Sequence, residues 1–196
     1  NKLLGTSHRK PPIKNLGEEI QVGLKKFFKL SDDYLVCFGN GGATQVFDMV
    51  GLGLVEKEVS HFTCGEFSNK WFKSSNSIPW IKAHEVAADM GQGIDAQNVD
   101  GSDVICVTLN ETSTGVMLDH IPSVDANTLL AVDATSGAGQ VECDVSKVDV
   151  FFLSPQKVFA AEGGLFVAIL SPKAQERALK IAGDSSRYVP GVMNWK

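Results

Sequence analysis

Phe151-Phe152-Leu153-Ser154-Pro155-Gln156-Lys157 is an apolar run of β type that ends in a polar turn carrying one lysine. Upstream, Leu129-Leu130-Ala131-Val132 ends on Asp133 and opens into Ala134-Thr135-Ser136-Gly137. Both runs are short and continuous rather than alternating, as in strands covered on both faces of a parallel sheet. Further apolar segments of this kind lie at 34–38, 59–64, 80–86, 103–109 and 165–170, and the two runs above read as strands 129–133 and 148–153. Helical spacing falls between several of them. Leu16, Ile20, Leu24, Phe27 and Phe28 mark one amphipathic face, residues 43–54 follow a glycine-rich turn, and 172–182 opens on a proline. The alternation predicts an α/β fold: a three-layer α/β/α sandwich around a mostly parallel sheet of about seven strands.

The bulk properties narrow the function. With 196 residues, 43% hydrophobic and 21% charged, the chain is an ordinary globular domain in composition. A net charge of −5 and no basic stripe argue against nucleic acid as a partner. The longest apolar runs, such as Leu165-Phe166-Val167-Ala168-Ile169-Leu170, are too short to cross a bilayer. No charged-then-apolar leader opens the chain, so a cytoplasmic protein is expected. Cys37, Cys64, Cys106 and Cys143 are widely spaced and form no CxxC pair, which fits free thiols in a reducing compartment rather than disulfides or zinc ligands.

The chemistry is carried by polar residues at the ends of apolar runs. A lysine in a loop between buried strands is costly to desolvate unless it is paired or covalently modified, and an imine with an aldehyde relieves that cost. An aspartate at the carboxyl end of a parallel strand lies where ligands gather in open α/β sheets. Lys157 with Asp133 is therefore the pair that pyridoxal phosphate (PLP) requires, a lysine for the Schiff base and a carboxylate for the pyridinium nitrogen. Taken singly, each has a plainer reading, Lys157 as a surface-loop lysine and Asp133 as the start of an Asx turn. Gly39-Asn40-Gly41-Gly42-Ala43-Thr44 leads from a strand to a helix and is either a phosphate cradle at a helix N-terminus or a tight turn. It matches neither the dinucleotide fingerprint nor the Walker pattern. Asn110-Glu111-Thr112-Ser113-Thr114-Gly115 offers polar side chains at the same rim, and Phe67 is either a ring-stacking residue or a core aromatic. Ser7-His8-Arg9 is either an oxyanion clamp or an exposed polar turn.

These blocks, together with Gly5-Thr6-Ser7-His8-Arg9, Gly65-Glu66-Phe67, Asp133-Ala134-Thr135-Ser136-Gly137-Ala138-Gly139 and Gly163-Gly164-Leu165, resemble in order and spacing the phosphoserine aminotransferases, most of all their actinobacterial branch. That family belongs to the fold-type I (aspartate aminotransferase-like) PLP enzymes. The resemblance implies Lys157 as the Schiff-base lysine and Asp133 as the pyridinium partner. It implies Ala43, Thr44, Phe67, Thr112, Thr135 and Gln156 as further cofactor contacts, with Ala43 and Thr44 at the phosphate and Phe67 on the ring. His8 and Arg9 match the pair that binds the substrate's distal acidic group across the interface of a homodimer. The implied reaction moves an amino group between glutamate and 3-phosphohydroxypyruvate, giving phosphoserine and 2-oxoglutarate in serine biosynthesis.

The chain departs from the family in two ways. Thr44 stands where many relatives have arginine, which bears on the grip on the distal anion. The resemblance also covers only the middle of the family's sequence, so residues 1–196 read as the large cofactor-binding domain, truncated, with the N-terminal segment and the C-terminal small domain absent. Two other readings stand beside this one. One is another fold-type I enzyme, such as an alanine–glyoxylate transaminase or a cysteine desulfurase, although desulfurases place a histidine where this chain has Gln156. The other is an inactive cofactor-binding or dimerisation fragment.

Overall fold

A computed structural model of the chain describes residues 3–196. The elements run α1 (Pro11–Phe27), β1 (Leu35–Asn40), α2 (Ala43–Leu54), β2 (Glu58–Thr63), α3 (Glu66–Asn76), β3 (Lys82–Ala87), β4 (Val104–Thr108), β5 (Asn110–Glu111), β6 (Val116–Met117), β7 (Leu129–Asp133), β8 (Val150–Leu153), β9 (Leu165–Leu170) and α4 (Pro172–Ala182). All seven expected strands form and join one sheet in the order β1-β9-β8-β7-β4-β2-β3. Pairing is parallel from β3 through β2, β4 and β7 to β8, and β9 runs antiparallel to both β8 and β1. The carboxyl ends of β1, β2, β3, β4, β7 and β8 therefore share one rim, where β9 begins.

Burial accounts for the continuous apolar runs. Every residue of β4, β7 and β8 is buried, so alternate side chains feed two separate cores. On one face Cys106, Ala131, Phe152 and Ala168 pack against Val46, Phe47 and Val50 of α2, Trp71 of α3, and Ala174 and Ala178 of α4. On the other face Ile105, Val107, Leu130, Val132, Phe151 and Ile169 meet Leu24 of α1, Phe28 just beyond it, Ala96 and Leu118 of irregular segments, and Val145 in a short 3-10 turn. Among the described residues, α1 is the one α-helix on this second face.

The amphipathic stripe expected on α1 is only partly covered. Leu24 and Phe28 reach the core, whereas Leu16, Ile20 and Phe27 stay 40%, 42% and 56% exposed. Phe159 meets the Phe27 ring edge-on, with centroids 5.8 Å apart, and leaves it more than half exposed. Helices α2 and α4 form over the expected residues, with Pro172 in the first turn of α4 and the Ser171 hydroxyl accepting the Ala174 N–H. Helix α3 and the β5–β6 hairpin were not expected. The four cysteines are free, Cys64 and Cys106 buried and Cys37 and Cys143 half-buried. No helix among the described residues is long and apolar enough to cross a membrane.

One buried group makes stability depend on acid. His61, on β2, is 1% exposed, with Nε2 2.9 Å from Ser75 Oγ and its ring edge-on to Trp71 and Phe72. Burial lowers its pKa from 6.5 to about 3. The unfolded chain takes up this proton near pH 6.5 and the folded chain only near pH 3. The stability is thus fully present above pH 6.5 and is lost as pH falls, a term of about 5 kcal/mol at its limit. His61→Phe is expected to move the acid-unfolding midpoint, followed by circular dichroism, to lower pH. An unmoved midpoint would show that His61 does not control the acid limb.

Candidate active site

The rim at the strands' carboxyl ends holds a cavity of about 330 Å³, within the size range of small-molecule sites. It is walled by the loop after β1, the first turns of α2 and α3, the ends of β4 and β7 with the segments that follow them, and the β8–β9 connection. Parallel pairing is what assembles it. The register sets Thr108 beside Asp133 and Asp133 beside Phe152, so three segments far apart in sequence finish at one level.

Asp133 is 4% exposed and lines the cavity floor. Its Oδ1 accepts both the N–H and the hydroxyl of Thr135, the Asx-type arrangement, and no hydrogen bond reaches Oδ2 from the described residues. The turn reading and the ligand reading of this aspartate are thus compatible. No cation pairs with the carboxylate among the described residues. Burial raises its pKa from 3.8 to about 6, with the charge of Glu111 adding to the shift and the Thr135 bonds opposing it. The neighbouring Thr108 hydroxyl is buried without a hydrogen-bond partner. A buried carboxylate with an oxygen that no described residue bonds, on the floor of a cavity, suits a ligand that brings a cationic N–H.

Lys157 lines the same cavity from the β8–β9 connection. The desolvated lysine expected from the sequence is not found. Residues 156–165 are all exposed, because this connection lies over the open rim rather than inside the sheet. Its amine forms no ion pair with a described carboxylate, so it is available for reaction.

The glycine turn delivers the N-terminus of α2. Gly41 and Gly42 have φ of +108° and +69°, conformations that side chains rarely adopt. Gly42 is the residue at the helix cap and has no side chain to accept the first amides. Ser154, 2% exposed at the end of β8, supplies that acceptor, its Oγ taking the Ala43 N–H at 2.7 Å. Ser154→Ala is expected to lower stability by about 1 kcal/mol with secondary structure intact, as measured by urea unfolding. A loss within error would mean that water replaces this cap.

Ala43, Thr44, Phe67, Thr112, Thr135 and Gln156, all expected at the site, line the cavity with Asp133 and Lys157. Phe67 is 46% exposed on the cavity wall, not in the core. His8 and Arg9 are exposed on the turn before α1 and outside this cavity. Asn110, in the polar block expected at this rim, lines it too, as do Thr108, Ser136 and Phe47, which were not singled out. Thr108 ends β4 beside Asp133 of β7, a signal that needs the strand register to be seen.

The family model for class-V aminotransferases matches residues 4–190. The chain belongs to the class-V aminotransferases. Among curated relatives of this class-V chain, the phosphoserine aminotransferase of Corynebacterium glutamicum is 43% identical over 194 residues, 98% of this chain and 51% of that protein. The phosphoserine aminotransferase of a Nocardioides species is 41% identical over 196 residues, 52% of its length. The chain thus spans about half the length of the curated relatives it matches. Among solved structures, a phosphoserine aminotransferase from Cytophaga hutchinsonii superimposes with a TM-score of 0.84 at 28% identity, covering 92% of this chain and 52% of that one. A PLP-bound phosphoserine aminotransferase from Trichomonas vaginalis shares the fold, with a TM-score of 0.82 at 21% identity.

Proposed function

We propose that residues 1–196 are the cofactor-binding large domain of a PLP-dependent phosphoserine aminotransferase, which exchanges an amino group between glutamate and 3-phosphohydroxypyruvate in serine biosynthesis. The observation that carries this reading is that Lys157 and Asp133 face one cavity, between the Phe67 wall and the N-terminus of α2. The Asp133 Oδ2, which no described residue bonds, is the open valence that such a cofactor would engage.

When bound, PLP supplies an aldehyde carbon that accepts an amino group and a protonated ring that takes up an electron pair. Lys157 would hold it through Nζ and, once released, take the proton from the substrate α-carbon as general base. Asp133 would accept the ring N–H at Oδ2 and keep that nitrogen protonated, and the cationic ring would in turn offset the burial of its charge. Phe67 would stack on the ring and Thr112 would contact its oxygen. The α2 N-terminus, with Ala43, Thr44, Thr135, Ser154 and Gln156 around it, suits the phosphate.

His8 and Arg9 would hold the distal carboxylate or phosphate of the substrate, since an arginine fork serves either oxyanion. Their exposure outside their own cavity supports a role in the neighbouring subunit's site of a homodimer. The exposed parts of Leu16, Ile20 and Phe27 on α1 would give such a dimer an apolar contact. Thr44 would leave the distal anion to that clamp. The desulfurase alternative is disfavoured, because no cysteine lines the cavity and burial pushes the Cys37 and Cys143 thiols up to about 11. Free thiols and the acidic charge balance agree with a cytoplasmic enzyme of small molecules.

The test is to incubate the chain with PLP, reduce with borohydride and map the modified peptide by mass spectrometry. A pyridoxyl group confined to Lys157 is expected. Labelling spread over surface lysines would contradict the assignment.

A further inference from the structure

Glu111 is a carboxylate with no solvent exposure, outside the pairing of Lys157 with Asp133. Its Oε2 accepts the Ser68 N–H at 2.8 Å and the Ser68 hydroxyl at 2.9 Å. Its Oε1 accepts the Ser113 hydroxyl at 2.7 Å, the Ser113 N–H at 3.3 Å and the Phe67 N–H at 3.4 Å. Ser113 Oγ in turn accepts the Glu66 N–H at 2.9 Å. The first three amides of α3 are thus all satisfied by the segment after β4 and none by a capping side chain of the helix's own. Residue 65 cannot supply one, since a Cβ there would lie 2.5 Å from Glu111 Cγ and 2.5 Å from Ser113 Oγ.

The bonds join two walls of the cavity. Phe67 sits in the first turn of α3, and Thr112 lies between the two residues that hold that turn. We propose that Glu111 is a positioning residue of the transamination site, holding the Phe67 ring and the Thr112 side chain at fixed separation above the Asp133 floor. This role rests on the cofactor reading given above. A neutral serine or asparagine at the helix's own cap would satisfy the same amides without burying a charge. A carboxylate reaching across from β5 does what a local cap cannot, because it ties the aromatic wall to the polar one. Burial pushes the Glu111 carboxyl up, but the bonds from Ser113 and Ser68 outweigh it and leave the pKa below its usual value. The group therefore stays ionised, and its charge is among the causes of the raised Asp133 pKa.

The two oxygens make Glu111→Gln informative. Each faces a backbone N–H, so a carboxamide must set its NH₂ against one of them and cannot restore both halves of the tie. The experiment compares the unaltered chain with Glu111→Gln, Glu111→Ala and Thr114→Val. The last removes a separate tether of the same loop, the Thr114 hydroxyl to the Cys64 carbonyl at 3.0 Å, and leaves Glu111 alone. PLP affinity is read by titration, ring orientation by the visible circular dichroism of the bound cofactor, and attachment by borohydride mapping. Both Glu111 variants are expected to bind PLP roughly tenfold more weakly and to lose most of the visible dichroism, with Lys157 still the labelled residue. Thr114→Val is expected to lower the unfolding midpoint and keep the optical signal. If Glu111→Ala does not fold, the isosteric Glu111→Gln decides alone. Unchanged dichroism in Glu111→Gln, or equal loss in Thr114→Val, overturns the role and leaves the cofactor reading intact. No Lys157 adduct in the unaltered chain overturns the cofactor reading and this role with it.

Discussion

Replacing Lys157 with alanine or arginine is expected to abolish the borohydride-stable adduct and to reduce transamination by at least ~10⁴-fold, the upper range for loss of one general acid–base group. In the proposed reading two functions would be lost together, since the same amine would anchor the cofactor and move the substrate's proton. Arginine keeps the charge and cannot form the imine, so it separates electrostatic from covalent contributions. Lys157 is exposed and forms no ion pair with a described carboxylate, so neither change should alter stability by more than ~0.5 kcal/mol. A cooperative unfolding transition at the original midpoint, with the adduct gone, is the expected pair of results. Retention of the adduct in Lys157→Ala would transfer the covalent role to another lysine.

Asp133→Asn is expected to act on function and stability with opposite signs. Loss of a preorganised charge at the ring nitrogen should lower kcat by about 10²–10³-fold, with PLP released more readily on dialysis. Stability without cofactor should instead rise. Asp133 has its pKa raised, chiefly by burial, from 3.8 to about 6. The unfolded chain therefore loses this proton near pH 3.8 and the folded chain only near pH 6. The cofactor-free fold is penalised increasingly from pH 3.8 to 6, and above that range by roughly 3 kcal/mol. Asparagine removes the penalty, so urea unfolding at pH 8 should show a more stable chain and at pH 4 an almost unchanged one. The slope is opposite in sign to that of His61, and in Asp133→Asn the histidine limb should stand alone. Equal stability of the two proteins at pH 8 would show that Asp133 is compensated within the chain, and the case for a cationic ligand would weaken.

The parts of this protein legible in its sequence are those whose cause is local. Continuous apolar runs mark buried strands because each residue of β4, β7 and β8 meets a core on one face or the other. Asp133 and Lys157 stand out because they end such runs, and the glycines before α2 because two adopt positive φ. Helix α3 was invisible for the complementary reason. Its sequence, Glu-Phe-Ser-Asn-Lys-Trp-Phe-Lys-Ser-Ser-Asn, follows a glycine cap with no acceptor side chain, and its amides are met by Glu111 and Ser113 from a distant segment. The same holds for Ser154, which caps α2 from the end of β8, and for Thr108, which matters only because the register sets it beside Asp133. The apolar stripe of α1 could be read, but not how little of it the chain covers. Backbone propensity and hydrophobic pattern are properties of neighbouring residues, and they determined the fold and the chemical end groups. Hydrogen-bond satisfaction, burial of charge and cavity shape depend on segments joined by parallel pairing, so only the tertiary structure decided which residues hold the site together.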